Sequence, residues 1–250
     1  MDADLLKAGT ENFSLPHDVV KLPSKGIFYK SKKTAVKVGY LTAEDENYLL
    51  NNDSKEHIVM TLLRNKVYEH DLRPEEMTDG DVEAILIFLR NTSFGPEYTL
   101  NLSDPKNGKL FEHTEILDSL SIKVTQDEPN ENGIFTTKLP KTGSTVKLKP
   151  LTFYEGIEID VMAEQYPKGR TAPTVTWRLN KQILEVDGSN DPAAIAQFVS
   201  TLPIMDSKHI RKYLRENQPS LDLKREVYAP SGELVTFNVS FGVEFFRPFF

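Results

Sequence analysis

Two segments of this chain share one order of elements, a hairpin that leads into a capped helix. In the first segment, a turn at residues 22–26 precedes residues 35–41, which alternate apolar and polar side chains as a half-buried strand does. Thr42 follows, with a carboxylate three residues later, which is the arrangement of a helix N-cap. A turn at residues 139–143 opens the second segment, in which Thr152 takes the place of Thr42, 110 residues further on.

The similarity between these segments has two explanations. Turns that need proline and glycine, and helices that need a hydroxyl cap, look alike for physical reasons alone. The other explanation is a duplicated hairpin–helix module, and residues 230–239 then resemble a partial third copy without the helix. Both explanations predict the α+β class, with small antiparallel β-hairpins and sheets and packed helices.

The remaining pattern predicts further helices and strands. Thr152 and Glu155 match a full capping box, Pro192 after Asp191 suits a helix start, and Asp206 is a candidate cap for the last helix. Helices are predicted around residues 42–50, 58–67, 78–91, 153–164, 174–184, 192–201 and 207–216. Strands are predicted around residues 19–22, 35–41, 98–102, 120–124, 145–149, 225–228 and 234–239, with a turn at 104–108.

Three regions follow from this order of elements. Residues 1–92 are predicted to form an N-terminal hairpin and helical region, and residues 93–134 a β-rich middle insert. Residues 135–250 are predicted to form a second hairpin–helix region that ends in a C-terminal hairpin. A chain of 250 residues is long enough for one large domain or two small ones.

Composition excludes several kinds of function. The chain has no cysteine, which rules out disulfides, thiolate metal sites and a cysteine nucleophile. Its longest apolar runs, such as residues 84–89, are far shorter than the about 20 residues that span a bilayer, which predicts no integral membrane segment. The formal charge of −7 argues against nucleic-acid binding, and the tightest basic cluster is Lys30, Lys32 and Lys33.

No pattern in the sequence indicates catalysis. Phosphate-binding glycine loops, nucleophile elbows and paired metal-binding histidines are all missing, and the five histidines are scattered. Acidic groups at residues 44–46 and 155–160 lie where helix N-termini favour negative charge. We therefore predict a non-enzymatic protein without a cofactor or metal. The alternative is an enzyme whose site is assembled from distant residues.

The C-terminus carries four phenylalanines in six residues, which would be costly to leave in water. This tail either closes the protein's own core or fills a groove on a partner, as aromatic anchors do in interfaces. The candidate partner contacts are Phe245, Phe246, Arg247, Pro248, Phe249 and Phe250.

Three stretches of the sequence stand out by their order and spacing, namely residues 22–26 with 41–46, residues 198–223 and residues 245–248. In this order and spacing they resemble the T4-type bacteriophage baseplate hub and baseplate hub assembly proteins. It implies a non-enzymatic protein that helps to assemble the central hub by binding other baseplate hub proteins, as an assembly chaperone or a structural component. It also implies a place in the host cytoplasm during assembly, or in the tail baseplate of the virion. A generic protein-binding adaptor is the alternative.

The sequence departs from this family in one respect. Many family members carry Cys-x-x-Cys pairs, suggestive of a zinc knuckle, where this chain has residues 104–108 and 229–232. A metal role is therefore not carried over. We expect local hydrogen bonds and packing to hold these two turns.

Overall fold

The fold combines helices with small antiparallel sheets, as predicted. The computed structural model describes residues 16–51, 55–241 and 243–246 of the chain. The helices are α1 (Ala43–Asn51), α2 (Lys55–Lys66), α3 (Asp79–Phe94), α4 (Phe153–Glu164), α5 (Thr174–Gln182), α6 (Pro192–Thr201) and α7 (Ile204–Asn217). The strands are β1 (His17–Lys21), β2 (Ala35–Gly39), β3 (Glu97–Ser103), β4 (Leu110–Ile116), β5 (Phe135–Lys138), β6 (Thr145–Leu148), β7 (Ile183–Val186), β8 (Lys224–Tyr228) and β9 (Leu234–Asn238). The chain has an α+β fold.

In the described residues, the strands form three two-stranded hairpins and one three-stranded sheet. β1 pairs with β2, β3 with β4 and β8 with β9, and every pair is antiparallel. β7 joins the β5–β6 hairpin along β6. The helix predicted over residues 174–184 therefore ends at Gln182, because pairing with β6 outweighs the helical pattern of the residues that follow.

The β3–β4 hairpin differs from the prediction in its second strand. β3 covers the strand predicted at residues 98–102, and the turn lies at residues 104–108 as predicted. Its partner is β4, which was not among the predicted strands, whereas residues 120–124 form only an isolated bridge. A tight turn places the residues directly after it beside β3, so β4 takes the pairing expected of the later segment.

The β3–β4 and β8–β9 hairpins contact each other although they are far apart in the sequence. The ring of His113 on β4 lies 5.5 Å from the ring of Phe237 on β9. At the turns, the Ser231 hydroxyl donates to the Asp104 carboxylate at 2.7 Å. Within the turns, the Lys106 N–H donates to the Asp104 carboxylate at 2.9 Å and the Gly232 N–H donates to the Ala229 carbonyl at 2.9 Å, which confirms the expected local hydrogen bonds. The contact between the two hairpins was not expected.

Two hydrophobic cores lie side by side. The first is built from β1, β2, α1, α2, α3 and β3, and the second from β5, β6, β7, α5, α6 and α7. Phe28 packs against both, and the N-termini of α3 and α4 meet where the Phe153 N–H donates to the Met77 carbonyl at 2.8 Å. The end of the chain returns to the first core with Val239 and Phe241. The division into three regions stays a prediction.

The caps predicted for α1 and α4 are confirmed. Thr152 and Glu155 form a reciprocal capping box at the start of α4. At α1, the Thr42 N–H donates to Asp45 at 2.7 Å, and the Asp45 N–H lies 3.4 Å from the Thr42 hydroxyl. Asp45 is also buried in an ion pair with Lys66. Because loss of either partner would leave a buried charge uncompensated, this pair fixes α1 against α2.

A buried aspartate binds the turn of each of three hairpins, β1–β2, β5–β6 and β8–β9. These turn-binding aspartates are Asp81, Asp206 and Asp104, and each is at most 2% exposed. Asp81 and Asp206 are each the third residue of a helix, α3 and α7 respectively. The β1–β2 and β5–β6 hairpins are therefore alike in their tertiary contacts as well as in their sequence pattern.

The β1–β2 turn is held mainly through hydroxyl groups. The Ser24 N–H donates to Asp81 at 2.9 Å and the Ser24 hydroxyl at 2.5 Å, and the Tyr29 hydroxyl donates to the same carboxylate. Burial raises the pKa of Asp81 above its usual range, although these hydrogen bonds act in the opposite direction. Since hydroxyl groups accept as well as donate, a neutral carboxyl would keep these contacts.

The β5–β6 turn is held through backbone N–H groups. Asp206 accepts from the N–H of Lys141 at 2.7 Å and from the N–H of Thr142 at 2.9 Å. Burial acts to raise the pKa of Asp206, but the two donors outweigh it and hold the pKa below its usual range. The prediction that Asp206 caps α7 was wrong, because the helix begins at Ile204 and the carboxylate reaches the turn instead.

The first turn of α3 also contacts residues 219–220. A Cβ atom on Gly80 would lie 2.3 Å from the Pro219 carbonyl oxygen, so only glycine fits at this position. One turn of α3 therefore contacts two remote segments, the β1–β2 turn through Asp81 and residues 219–220 through Gly80.

Neutral isosteres of the two helix-borne aspartates should differ in the sign of their pH dependence. D206N should lower the free energy of unfolding at neutral pH by about 1–3 kcal/mol, because asparagine offers one acceptor oxygen to two buried N–H groups. The free energy of unfolding of the native protein should exceed that of D206N at neutral pH. This difference should shrink as the pH falls below about 4, because the Asp206 carboxylate, whose pKa is lowered in the folded state, becomes protonated. Relative to D81N, the native protein should lose stability as the pH rises from about 4 through the raised pKa of Asp81.

Urea unfolding followed by circular dichroism over a pH series measures both differences. E216Q is the control, since Glu216 is exposed and lies 3.8 Å from its Lys212 partner. The difference in free energy of unfolding between the native protein and each variant is plotted against pH. The same pH dependence for D206N and D81N would contradict these two modes of turn binding.

The Gly80→Ala substitution should destabilise the protein by about 1–3 kcal/mol, although alanine is the better helix former, because the methyl group has no space beside Pro219. Gly156→Ala is the matched control, since no atom of the described residues outside the local helix lies within 4 Å of a Cβ at that position in α4. It should raise the free energy of unfolding by about 0.5–1 kcal/mol. Urea unfolding measures both, and equal stabilisation by the two substitutions would exclude the close contact at Gly80.

Candidate functional site

A cleft of about 560 Å³ opens beside an extended stretch of chain at residues 121–125, the 121–125 segment. Its other walls are the β1–β2 turn, the loop at residues 128–131 and Pro219. The apolar residues that line it are Pro23, Ile27, Ile122, Val124, Pro129 and Pro219. A neighbouring cleft of about 510 Å³ shares Lys123 and Val124 with it.

Backbone hydrogen bonds fix the 121–125 segment in place. The Lys123 N–H donates to the Ser220 carbonyl at 2.9 Å, and the Asp222 N–H donates to the Ser121 carbonyl at 2.8 Å. Just beyond the segment, the Asn217 side chain at the end of α7 accepts from the next two backbone N–H groups, at 3.1 and 2.9 Å. The conformation of the segment is therefore set before any ligand arrives.

Ile122 and Val124 are exposed on this fixed backbone, by 51% and 91% respectively. Side chains two residues apart in an extended chain lie on the same side of it. Burial of a large apolar side chain contributes about 1.5–3 kcal/mol. A complex in which a partner covers Ile122 and Val124 would therefore be stabilised. Exposed apolar surface beside a cleft with a polar rim is typical of protein-binding sites.

The first turn of α3 positions two walls of the cleft. Asp81 holds the β1–β2 turn, in which Pro23 and Ser24 face the cleft. Gly80 allows the close approach of residues 219–220, and the Ser220 carbonyl accepts from the 121–125 segment. The shape of the cleft thus depends on one helical turn that contacts both neighbouring segments.

The rim of the cleft carries charges of both signs. The Lys32 ammonium donates to the carbonyls of Ile27 at 3.0 Å and Glu131 at 2.5 Å, which joins the first hairpin to the loop at residues 128–131. The Lys123 ammonium donates to the Arg215 carbonyl at 2.6 Å, and burial lowers the pKa of Lys123. These two ammonium groups bind carbonyls, and the carboxylates of the loop at residues 128–131 provide the negative charge of the rim.

Other charged groups noted in the sequence have structural contacts. Asp45 pairs with Lys66, Glu155 completes the capping box of α4, and Lys33 pairs with Glu69 at 2.6 Å. The described residues contain no group of three or more His, Cys, Asp or Glu side chains that could hold a metal ion. Within the same residues, no helix has the length and apolar character needed to cross a membrane.

The candidate tail contacts divide into two groups. Phe245 and Phe246 are 0% and 3% exposed in the first core. The Phe245 ring lies 5.2 Å from the Tyr98 ring in an edge-on contact, and the Arg90 guanidinium lies 5.6 Å from the Phe245 ring. These two phenylalanines therefore help to close the protein's own core. Arg247, Pro248, Phe249 and Phe250 lie outside the described residues.

The cleft was not predicted from the sequence. Alternation predicts a half-buried strand at residues 120–124. It shows that the two faces of a strand differ but not which neighbours cover them. The alternation of Ile122 and Val124 with polar residues was the only available signal. Pairing with residues 220–222 decided how the segment lies and left both side chains exposed.

This arrangement suits the binding of an extended segment of another protein. Apolar side chains on a fixed backbone provide surface for burial, and charges of both signs around the cleft provide orientation. No protein-family model, curated protein or solved structure matches the chain.

Proposed function

We propose that this chain is a non-enzymatic protein of phage baseplate hub assembly, and that it binds another hub protein in the cleft beside the 121–125 segment. The observation that carries the binding role is the exposure of Ile122 and Val124 on a fixed backbone. The resemblance of residues 22–26 and 41–46 to baseplate hub proteins supports the identity of the partner.

The turn at residues 22–26 connects the resemblance with the cleft. It is one of the stretches that resemble baseplate hub proteins, and three of its residues, Pro23, Ser24 and Lys25, line the cleft. Its hydrogen bonds to the buried Asp81 keep its shape constant. A surface that is ordered before binding loses less conformational entropy when a partner arrives.

The chemistry of the cleft indicates what the partner segment carries. Apolar side chains of the partner cover Ile122 and Val124, at about 25 cal/mol for each Å² of apolar surface removed from water. Charged side chains of the partner meet Lys25 and Glu131 at the rim. Such rim charges contribute more to specificity and association rate than to affinity.

Protein binding fits both roles that the resemblance implies. An assembly chaperone acts in the host cytoplasm and leaves the finished hub, whereas a structural component remains in the tail baseplate of the virion. In either role, we expect a stable complex with a hub protein and no catalytic turnover.

Co-expression with individual baseplate hub proteins tests the proposal, with size-exclusion chromatography and light scattering as the measurement. We expect one hub protein to co-elute with the native chain. V124E should weaken this complex by about tenfold or more, because it places a charge where apolar contact is needed. Its stability should change by less than about 0.5 kcal/mol, since Val124 is 91% exposed.

The matched control is V19E, because Val19 is also an exposed valine, by 64%, and lies on β1 away from the lining of the cleft. It should leave the complex intact. Absence of a complex with every hub protein would refute the assigned function, whereas an unchanged complex with V124E would refute the cleft as its binding site.

A further inference from the structure

α7 carries an exposed face on which basic and apolar side chains are combined. Its members are Ile204, Met205, Lys208, Arg211, Lys212 and Arg215, together called the basic face of α7. At 3.6 residues per turn, these positions fall within an arc of about 120° and extend about 16 Å along the helix. All six are exposed, Ile204 by 74% and Met205 by 60%.

The opposite side of α7 is occupied by contacts within the protein. Ile210 and Leu214 pack in the second core. Asp206 binds the β5–β6 turn, and the Asn217 side chain binds the backbone just after the 121–125 segment. These contacts hold the helix in place by its buried side. On the basic face, the backbone carbonyl of Arg215 accepts from the Lys123 ammonium.

The basic face keeps most of its positive charge. Lys212 lies 3.8 Å from Glu216, whereas Lys208, Arg211 and Arg215 have no ion pair with a carboxylate among the described residues. The chain as a whole has a formal charge of −7, so this local excess of cations runs against its composition. A concentrated positive surface attracts acidic ligands.

The two apolar residues at the start of α7 favour a protein as this ligand. Burial of Ile204 and Met205 would add nothing to the phosphate contacts that provide most of the affinity for nucleic acid. A helix that binds a membrane surface needs a broad apolar face, whereas Ile210 and Leu214 face the second core. Methionine and arginine are both enriched in interfaces between proteins.

We infer that the basic face of α7 is a second binding surface, which takes an acidic segment of a partner protein that has apolar side chains at one end. The four cations pair with the carboxylates of this segment, and Ile204 and Met205 pack against its apolar side chains. Arg215 and Val124 line the same neighbouring cleft, so the second surface adjoins the first. The inference does not depend on the partner being a hub protein.

A labelled acidic peptide tests this surface directly. The probe is a helical peptide with glutamates along one face and two leucines at one end, and its matched control has glutamine in place of glutamate. Fluorescence anisotropy should show that the native protein binds the acidic peptide and not the control. Binding should weaken as salt is added, because exposed charges are screened over about 10 Å at 0.1 M ionic strength.

Two glutamine variants locate the binding. K208Q/R211Q/K212Q/R215Q should lower the affinity for the acidic peptide by about tenfold or more, because four exposed charge pairs are lost. K106Q/K109Q/K168Q/R170Q removes the same number of exposed cations outside α7 and should bind like the native protein. I204S/M205S should weaken binding without changing its salt dependence.

Salt-sensitive binding that is lost in the α7 variant alone supports the inference. Equal affinity of the two glutamine variants, or no binding of the acidic peptide, overturns it. A short DNA duplex and vesicles containing phosphatidylserine are tested in parallel. If either binds in place of the peptide and is lost in the α7 variant, the face serves a nucleic acid or a membrane and the inference fails. Circular dichroism verifies that each variant is folded.

Discussion

A buried carboxylate that binds the backbone of a hairpin turn is the interaction on which this fold depends. A tight turn directs N–H groups into the protein, and a buried N–H without an acceptor costs about 1–3 kcal/mol. Asp81 and Asp206 supply the acceptors from the first turn of a helix. Each carboxylate thereby fixes a helix to a hairpin, in the first half of the chain and again in the second.

The same contacts position both proposed binding surfaces. Through Asp81 and Gly80, α3 holds the β1–β2 turn and residues 219–220 beside the cleft. Through Asp206 and Asn217, α7 is joined at one end to the β5–β6 turn and at the other to the backbone after the 121–125 segment. Both surfaces therefore lie on backbone that buried hydrogen bonds hold in place, which favours binding without a large ordering cost.

The correct predictions concern features whose partners lie close together in the chain. The capping box joins Thr152 to Glu155, three residues on. The helix start predicted at Pro192 follows Asp191 directly, and the Asp191 carboxylate accepts from the Ala194 N–H at 3.0 Å. Several errors arose where a distant segment provided the partner, whereas β4 was missed although its partner β3 lies directly before the turn. Residues 183 and 184, the last two of the helix predicted over 174–184, belong instead to β7, which pairs with β6. Asp206 binds the Thr142 N–H, 64 residues away in the chain. The cleft was missed for the same reason.

Residue patterns were sufficient for the α+β class, the hairpin turns and the starts of α1, α4 and α6, because these depend on neighbours within a few positions. They were not sufficient to tell which apolar side chains are covered. Ile122 and Val124 alternate like a half-buried strand but are exposed, whereas Phe245 is buried against Tyr98 and Arg90 from a remote part of the chain. Periodicity sets the direction of a side chain from its own backbone, but burial is set by the distant segments that pack against it.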